Sequence, residues 1–242
     1  MCNLGVPRNQ ISITTKISPR ESGYEQALAA INGSLTRLGL DYIDICLIHW
    51  PGTAKKKPED RCQIEMRIQT WLALEKARND GLVRSIGVSN FLPRHIESII
   101  SDHRTRIVPA VNQIELHPFC TQKETVEYCK GKGIAIQSYS TLGQGSSTLL
   151  EHPTILSVAA AMSKRLGSNH NIKASHICLR WAMQHGYGVI PRSSNPERIV
   201  DNFRVAQVGF MDDLTDEEMA EIDAISIREG ERKFCWDPSN IC

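Results

Sequence analysis

Residues 40–51 read LDYIDICLIHWP, and the apolar run at 43–49 sets the pattern from which the fold is predicted. This run alternates little between apolar and polar residues, which is typical of a parallel strand buried on both faces. A helical period over residues 25–38 precedes it and ends at Gly39, a residue suited to a left-handed helix cap. A second amphipathic period follows over residues 67–80. Helix, buried strand and helix in succession predict parallel βα units.

The same alternation of β-rich runs and helical periods continues along the chain. The predicted strands cover residues 11–16, 43–49, 85–89, 111–113, 134–139 and 187–190. The predicted helices cover residues 25–38, 67–80, 93–101, 123–130, 172–185 and 196–205. A further helix over 212–225, with Thr215 and Glu218 as a capping box, lies beyond the repeating units. Because no linker rich in proline, glycine or serine divides the chain, we expect one domain spanning residues 1–242.

Six βα units are compatible with two architectures, and periodicity does not choose between them. One is an open, doubly wound sheet, and the other is a barrel with part of its wall absent. The polar residues at or just past the carboxyl ends of different predicted strands are Lys16, His49, Ser89, Asn90, Gln113, Tyr139 and Arg192. In a barrel those ends converge on one mouth, where chemistry is normally placed.

The composition excludes several classes of protein and partner. The chain has 242 residues with 28 basic and 27 acidic side chains, a size that forms a core without disulfides or structural metals. The near-neutral charge predicts no nucleic-acid or membrane partner and favours a small-molecule substrate. No apolar run reaches the roughly 18 residues that span a bilayer, and the first residues lack the pattern of a signal peptide. We therefore expect a cytoplasmic protein.

The eight cysteines lie at positions 2, 46, 62, 120, 129, 178, 235 and 242 and include no C-x-x-C pair. We therefore expect reduced thiols rather than a disulfide framework. A zinc site formed by His170, His176 and Cys178 is disfavoured, because residues two apart on a helix face different directions.

Six motifs, in order across residues 5–242, resemble those of the aldo-keto reductase family. They are ITTK at 13–16, LDYID at 40–44 with LIHWP at 47–51, GVSNF at 87–91, VNQ at 111–113 with His117 and Pro118, SYS at 138–140 with Leu142 and Gly143, and IPRS at 190–193 with Arg198 and Asn202. The resemblance implies an α/β fold, a TIM-type (β/α)8 barrel that lacks the first two βα units and carries an extra C-terminal helix and loop. It also implies an NADP(H)-dependent oxidoreductase that reduces aldehydes and ketones to alcohols.

The resemblance also assigns cofactor-binding residues by position. Ser89, Asn90 and Gln113 match the residues that hold the nicotinamide carboxamide, and Tyr139 matches the ring that stacks under the nicotinamide. Ser140 and Leu142 match the start of the pyrophosphate-covering loop, here 143–147. Arg192, Ser193 and Arg198 match the pocket for the 2′-phosphate, and Asp201 and Asn202 match the adenine contacts. Two guanidinium groups and a hydroxyl suit a phosphate dianion, so we expect NADP(H) to be preferred over NAD(H).

Two catalytic residues of the family have counterparts in this sequence and two do not. Lys16 matches the lysine that tunes the proton donor, and His49 matches the histidine that orients the carbonyl oxygen. The family's aspartate and tyrosine are unmatched, and Tyr24 is the only tyrosine expected in a loop on the mouth side. The resemblance therefore predicts impaired turnover, because losing a general acid costs about 10² to 10⁴ in rate. The alternative is an inactive NADP(H)-binding pseudoenzyme or splice product with a regulatory role.

The substrate stays open at the level of sequence. Trp50 and Trp236 resemble the aromatic walls of a carbonyl pocket, although such residues are as typical of packing. Sugars, prostanoids, steroids and simple aldehydes all fit, because loops 52–66 and 228–242 decide the choice. A metal-dependent barrel hydrolase using His49 and His117 is a weaker alternative, since the strand ends lack a cluster of carboxylates and histidines. If the natural protein is full length, we expect a monomer.

Overall fold

The structure, a computed structural model, describes residues 5–167 and 170–242, so Cys2 among the expected thiols lies outside the described residues. Within them, six strands form one sheet. The strands are β1 (Thr14–Ile17), β2 (Ile43–Ile48), β3 (Val83–Ser89), β4 (Val111–Glu115), β5 (Ala135–Tyr139) and β6 (Gly188–Val189). The pairs β1–β2, β2–β3 and β5–β6 are parallel, as the buried apolar runs predicted.

The strands are neighbours in sequence order, from β1 at one edge to β6 at the other. This order lacks the reversal at which doubly wound sheets bind their ligands. It is compatible with the wall of the expected (β/α)8-type barrel, in which each strand lies beside the next one along the chain.

The helices follow the predicted alternation, with shifts at their ends. They are α1 (Tyr24–Leu38), α2 (Cys62–Asn79), α3 (Pro93–Ile100), α4 (Lys123–Gly131), α5 (Ser147–Leu150), α6 (Pro153–Leu166), α7 (Ala174–Gln184), α8 (Pro196–Arg204) and α9 (Asp216–Glu229). Gly39 ends α1 in the left-handed conformation, as expected. Tyr24, expected in a loop, is instead the first residue of α1. The expected start of the last helix at residue 212 is wrong, because Thr215 caps it and its side chain accepts the Glu218 N–H.

Helices α5 and α6 were not predicted from the sequence. The signal in α6 is present, since its buried residues Ile155, Val158, Ala159 and Met162 follow the spacing of one helical face. Pro153 at the start of α6 also fits a first helical turn.

The described residues divide into two compact units, each with its own core. The first unit extends to Asn112 and includes Glu127–Ala135 and Asp237–Cys242, and the second consists of Gln113–Val126 and Ile136–Trp236. In the first unit, β2 and β3 are buried with α1 and α2 around Trp71, whose side chain is fully buried. In the second unit, α6, α7 and α9 pack around Trp181, whose indole N–H donates to Asp223 at 2.7 Å. Among the described helices, none combines the length and the apolar character that crossing a bilayer requires.

Candidate functional site

In the first unit, the paired strands β1 and β2 bring Lys16 and His49 together. Lys16 is the Cα partner of Leu47, and the His49 N–H donates to the Ile17 carbonyl at 3.0 Å. Side chains two apart along a strand point to the same face of the sheet, so His49 points to the face of Leu47. Lys16, the partner of Leu47 on β1, points to that face as well. These two predicted residues therefore lie at adjacent strand ends.

The electrostatics of this pair favour an uncharged imidazole. Burial lowers the pKa of His49, and the nearby charge of Lys16 lowers it further, so the ring is neutral at pH 7. Burial also lowers the pKa of the Lys16 ammonium. A neutral imidazole can donate an N–H to a carbonyl oxygen without itself carrying a charge.

The end of β3 supplies the next predicted residues, Ser89 and Asn90, which are both buried. Asn90 lies in the left-handed region with φ +64°, a conformation that asparagine tolerates better than most residues. Its amide donates to the His49 carbonyl at 3.0 Å and to the Ser89 hydroxyl at 3.2 Å. The Trp50 ring stacks at 6.0 Å from the His49 ring. The first unit thus brings Lys16, His49, Trp50, Ser89 and Asn90 to the ends of three neighbouring strands.

A buried arginine that sequence reasoning missed holds the loop after Trp50. Arg67 is 2% exposed and donates to the Pro51 carbonyl at 3.1 Å, the Ser98 hydroxyl at 2.7 Å and the Cys242 carbonyl at 2.6 Å. Burial lowers its pKa to about 10, so it keeps its charge at neutral pH. In the sequence, an arginine inside an amphipathic helix looks like a solvent-exposed residue. The three partners of Arg67 are 16, 31 and 175 residues away, so the residues next to it give no sign of them.

In the second unit, two predicted cofactor residues lie on β4 and β5. The Gln113 amide donates to the Gln137 side-chain oxygen at 2.5 Å. The Tyr139 carbonyl accepts the Leu116 N–H at 3.3 Å, and the Tyr139 side chain is half-buried. Burial raises the pKa of Tyr139, and the neighbouring Cys235 raises it further. Tyr139 therefore stays a neutral ring, as a stacking role requires.

The loop after Tyr139 turns sharply at the residues expected to cover the pyrophosphate. Ser140 has φ +51°, and its carbonyl accepts the Gly143 N–H at 2.7 Å. The Leu142 carbonyl accepts the Gly145 N–H at 2.9 Å. Gly143 has φ +57°, and a Cβ there would lie 3.0 Å from the ring of Phe234. Both the backbone conformation and the close approach call for glycine at this position.

A buried carboxylate missed by sequence reasoning anchors the segment that contains Phe234 and Trp236. Glu115 is 1% exposed, and its Oε1 accepts the Phe234 N–H at 2.6 Å and the Cys235 N–H at 3.2 Å. His117 Nε2 lies 3.1 Å from the same oxygen. Burial alone would raise the pKa of Glu115, but the contacts with His117 and the Phe234 N–H outweigh it and lower that pKa. An acidic residue at the end of a strand, as Glu115 is in β4, is the signal that could have identified this anchor.

The structure brings together one group of metal-ligating residue types in the described residues and gives the residues of the zinc candidate other surroundings. Glu115, His117 and Cys120 are buried with their potential ligand atoms within 4.8 Å of one another. However, the Glu115 carboxylate already accepts backbone N–H groups, so we interpret the cluster as an anchor. Cys178 is fully buried in α7, where burial raises its pKa to about 12, and His176 faces Asp201 instead.

The second unit also contains a cavity of about 570 Å³ at the start of α8. Its polar lining consists of Lys173, Asn195, Glu197, Arg198, Asp201 and Arg204. Of the residues predicted for the phosphate and adenine end, Arg198 and Asp201 are brought together here, whereas Arg192, Ser193 and Asn202 are not part of this lining.

Asn195 positions the first turn of α8 beside the cavity. Its side-chain oxygen accepts the Glu197 N–H at 2.8 Å and the Arg198 N–H at 3.2 Å. Sequence reasoning missed it, although an asparagine directly before a proline is a usual start of a helix.

The chain is similar in sequence and in structure to known proteins. The sequence model of the Aldo/keto reductase family matches residues 3–227. Glyoxal reductase of Bacillus subtilis (strain 168) is 41% identical over 222 residues, which are 92% of this chain and 71% of that protein. Glycerol 2-dehydrogenase (NADP(+)) of Saccharomyces cerevisiae is 32% identical, with 98% of this chain and 77% of that protein covered. The crystal structure of MGS-M4, an aldo-keto reductase from a Medee basin deep-sea metagenome library, superposes with a TM-score of 0.82 at 32% identity and covers 98% of this chain and 78% of that one.

Proposed function

The chain belongs to the aldo/keto reductase family of oxidoreductases, and we propose that it reduces aldehydes or ketones to alcohols with NADP(H). The observation that carries this proposal is the pair of Lys16 and His49 at the adjacent ends of β1 and β2. The resemblance in sequence implies a catalytic role for both residues, and their closeness in the structure supports it.

In this proposal the two residues act on the carbonyl oxygen. The neutral His49 donates an N–H to that oxygen and orients the substrate. The Lys16 ammonium stabilises the negative charge that develops on the oxygen during reduction. When bound, the nicotinamide would supply the hydride to the carbonyl carbon, and the Lys16 ammonium would release a proton to the oxygen, so that the product is the alcohol. The expected slow turnover, which follows from the unmatched aspartate and tyrosine, stays a prediction.

The second unit offers groups that fit a phosphorylated nucleotide. The cavity at the start of α8 is lined by Arg198 and Arg204, whose guanidinium groups suit a phosphate. We assign the 2′-phosphate of NADP(H) to this cavity, with Arg192 and Ser193 expected to contribute as the motif implies. A relative named for NADP(+) supports this choice of cofactor.

For the substrate we propose small carbonyl compounds. Two relatives are named for the small compounds glyoxal and glycerol, and their names support this proposal. A third relative, of Trypanosoma cruzi, is named instead as a 9,11-endoperoxide prostaglandin H2 reductase. Trp50, whose ring stacks on His49, is proposed as a wall of the carbonyl pocket, and the role of Trp236 stays a prediction from the sequence. The cytoplasmic location, the monomeric state and the absence of nucleic-acid and membrane partners stay predictions.

The test uses one preparation of the protein for two measurements, NADPH binding by fluorescence and aldehyde-dependent NADPH oxidation with glyoxal. His49→Ala is expected to bind NADPH as the parent does but to oxidise it far more slowly. His103→Ala is the matched control, because His103 is in the same unit with 91% of its side chain exposed. A parent protein that binds no NADPH, or turnover that His49→Ala leaves unchanged, would contradict the proposal. Metal found in the purified protein, together with no binding of NADPH, would favour the hydrolase alternative.

A further inference from the structure

Lys173 lies where the start of α7 meets α8, and it has no role in the cofactor assignment above. It directly precedes α7 and lines the cavity of about 570 Å³. Its ammonium lies 2.7 Å from Oδ2 of Asp201, while 53% of its side chain stays exposed. The residue is therefore held at the cavity but remains accessible to a ligand.

His176 does not supply a positive charge to this region. Its Nδ1 accepts the Lys173 N–H at 3.1 Å, so the proton of the neutral ring is on Nε2. Nε2 lies 3.1 Å from Oδ2 of Asp201. Burial lowers the pKa of His176, and although the Asp201 charge opposes this, the pKa stays below its ordinary value. The ring is thus an uncharged neighbour of Asp201.

The charge balance of the cavity depends on Lys173. The lining contains the cations Lys173, Arg198 and Arg204 and the carboxylates Glu197 and Asp201. With Lys173 the cavity has one positive charge in excess, and without it the charges cancel. Arg204 also forms an ion pair with Asp201, but at 3.9 Å its guanidinium lies farther from the carboxylate than the Lys173 ammonium does at 2.7 Å.

We propose that Lys173 is a specificity-determining residue that makes this cavity select adenosine nucleotides carrying an additional 2′-phosphate. The inference rests on the proposed use of NADP(H). Lys173 acts by neutralising Asp201, which would otherwise repel a phosphate dianion, and by donating to the phosphate from its exposed position. Removing its charge therefore weakens binding of the doubly phosphorylated ligand far more than that of the singly phosphorylated one.

The experiment measures binding of adenosine 2′,5′-bisphosphate and of adenosine 5′-monophosphate by calorimetry, so that neither hydride transfer nor the nicotinamide end enters the result. Lys173→Met is expected to reduce the preference for the bisphosphate roughly tenfold, about the contribution of one charge-assisted contact. Lys173→Arg is expected to restore the preference. Lys164→Met, which removes an exposed lysine of the same unit outside the cavity lining, is the matched control and is expected to leave the preference unchanged.

A second variant changes the charge in the opposite direction and covers the case in which Lys173→Met does not fold. Asp201→Asn removes a carboxylate from the lining, so the ratio of the two affinities is expected to rise. A parent protein that binds both ligands equally would overturn the NADP(H) proposal itself. A parent that prefers the bisphosphate, with a preference that neither Lys173→Met nor Asp201→Asn changes, would overturn the role of Lys173 alone.

Discussion

Replacing Glu115 by glutamine tests whether this buried carboxylate anchors the segment that contains Phe234 and Trp236. Three polar hydrogens approach its Oε1, from the Phe234 N–H at 2.6 Å, the Cys235 N–H at 3.2 Å and His117 Nε2 at 3.1 Å. A hydrogen bond to a charged group contributes about 1.5–3 kcal/mol, against about 1 kcal/mol between neutral groups. Loss of the charge thus costs about 1 kcal/mol per contact, and Glu115→Gln is expected to lower the free energy of unfolding by about 3 kcal/mol.

The measurement is urea unfolding with Glu124→Gln as the control, because Glu124 is exposed in the first turn of α4. The control is expected to change the free energy of unfolding by no more than about 0.5 kcal/mol. Since the pKa of Glu115 is lowered in the folded protein, its contribution is present above the ordinary value of 4.5 and is lost as the pH falls below that value. The difference between the two variants should therefore shrink on acidification. Equal unfolding midpoints for both variants at neutral pH would refute the anchor.

Three other outcomes follow from the same structure. A titration of His49 by nuclear magnetic resonance is expected to give a midpoint below pH 6.5. Lys16→Met is expected to raise that midpoint, because it removes a neighbouring positive charge. An unchanged midpoint would contradict the pairing of the two residues. Gly143→Ala is expected to lower the free energy of unfolding by about 1–3 kcal/mol in thermal melts. The reason is that Gly143 has φ +57° and that the new Cβ would lie 3.0 Å from the Phe234 ring. An unchanged melting temperature would argue against the tight turn. In the native protein, iodoacetamide should modify the half-exposed Cys62, although slowly because the hydrogen bond with Asp60 raises the pKa of its thiol. It should not modify Cys178, which is buried and whose pKa burial raises to about 12. Mass spectrometry of digested peptides that finds Cys178 modified first would contradict this prediction.

Most elements of the fold could be predicted because each one has a signal within a few residues. The apolar run at 43–49 became β2 (Ile43–Ile48), and the period over 25–38 became α1 (Tyr24–Leu38). The ends moved where a cap outside the periodic run decided them, as Thr215 did for α9. The helix α6 was not predicted, although the sequence contains its signal, since the buried residues of α6 have helical spacing.

The candidate site was predictable only in part. Lys16, His49, Ser89 and Asn90 were recognised because they sit at strand ends, and the structure brings them together in one unit. Arg198 and Asp201 were recognised from the motif that they share, and they line one cavity. By contrast, Arg67 contacts the Cys242 carbonyl across 175 residues, a separation over which no local pattern carries information.

The sequence by itself determined the alternation of strands and helices, because hydrophobic periodicity and capping act between residues a few positions apart. It also determined which side chains stand at the strand ends. Only the tertiary structure decided that Glu115 anchors Phe234 and that Lys173 sets the charge of a cavity beside Asp201. These roles depend on groups that folding brings within hydrogen-bond distance from remote parts of the chain, where burial strengthens the contacts and makes their loss costly.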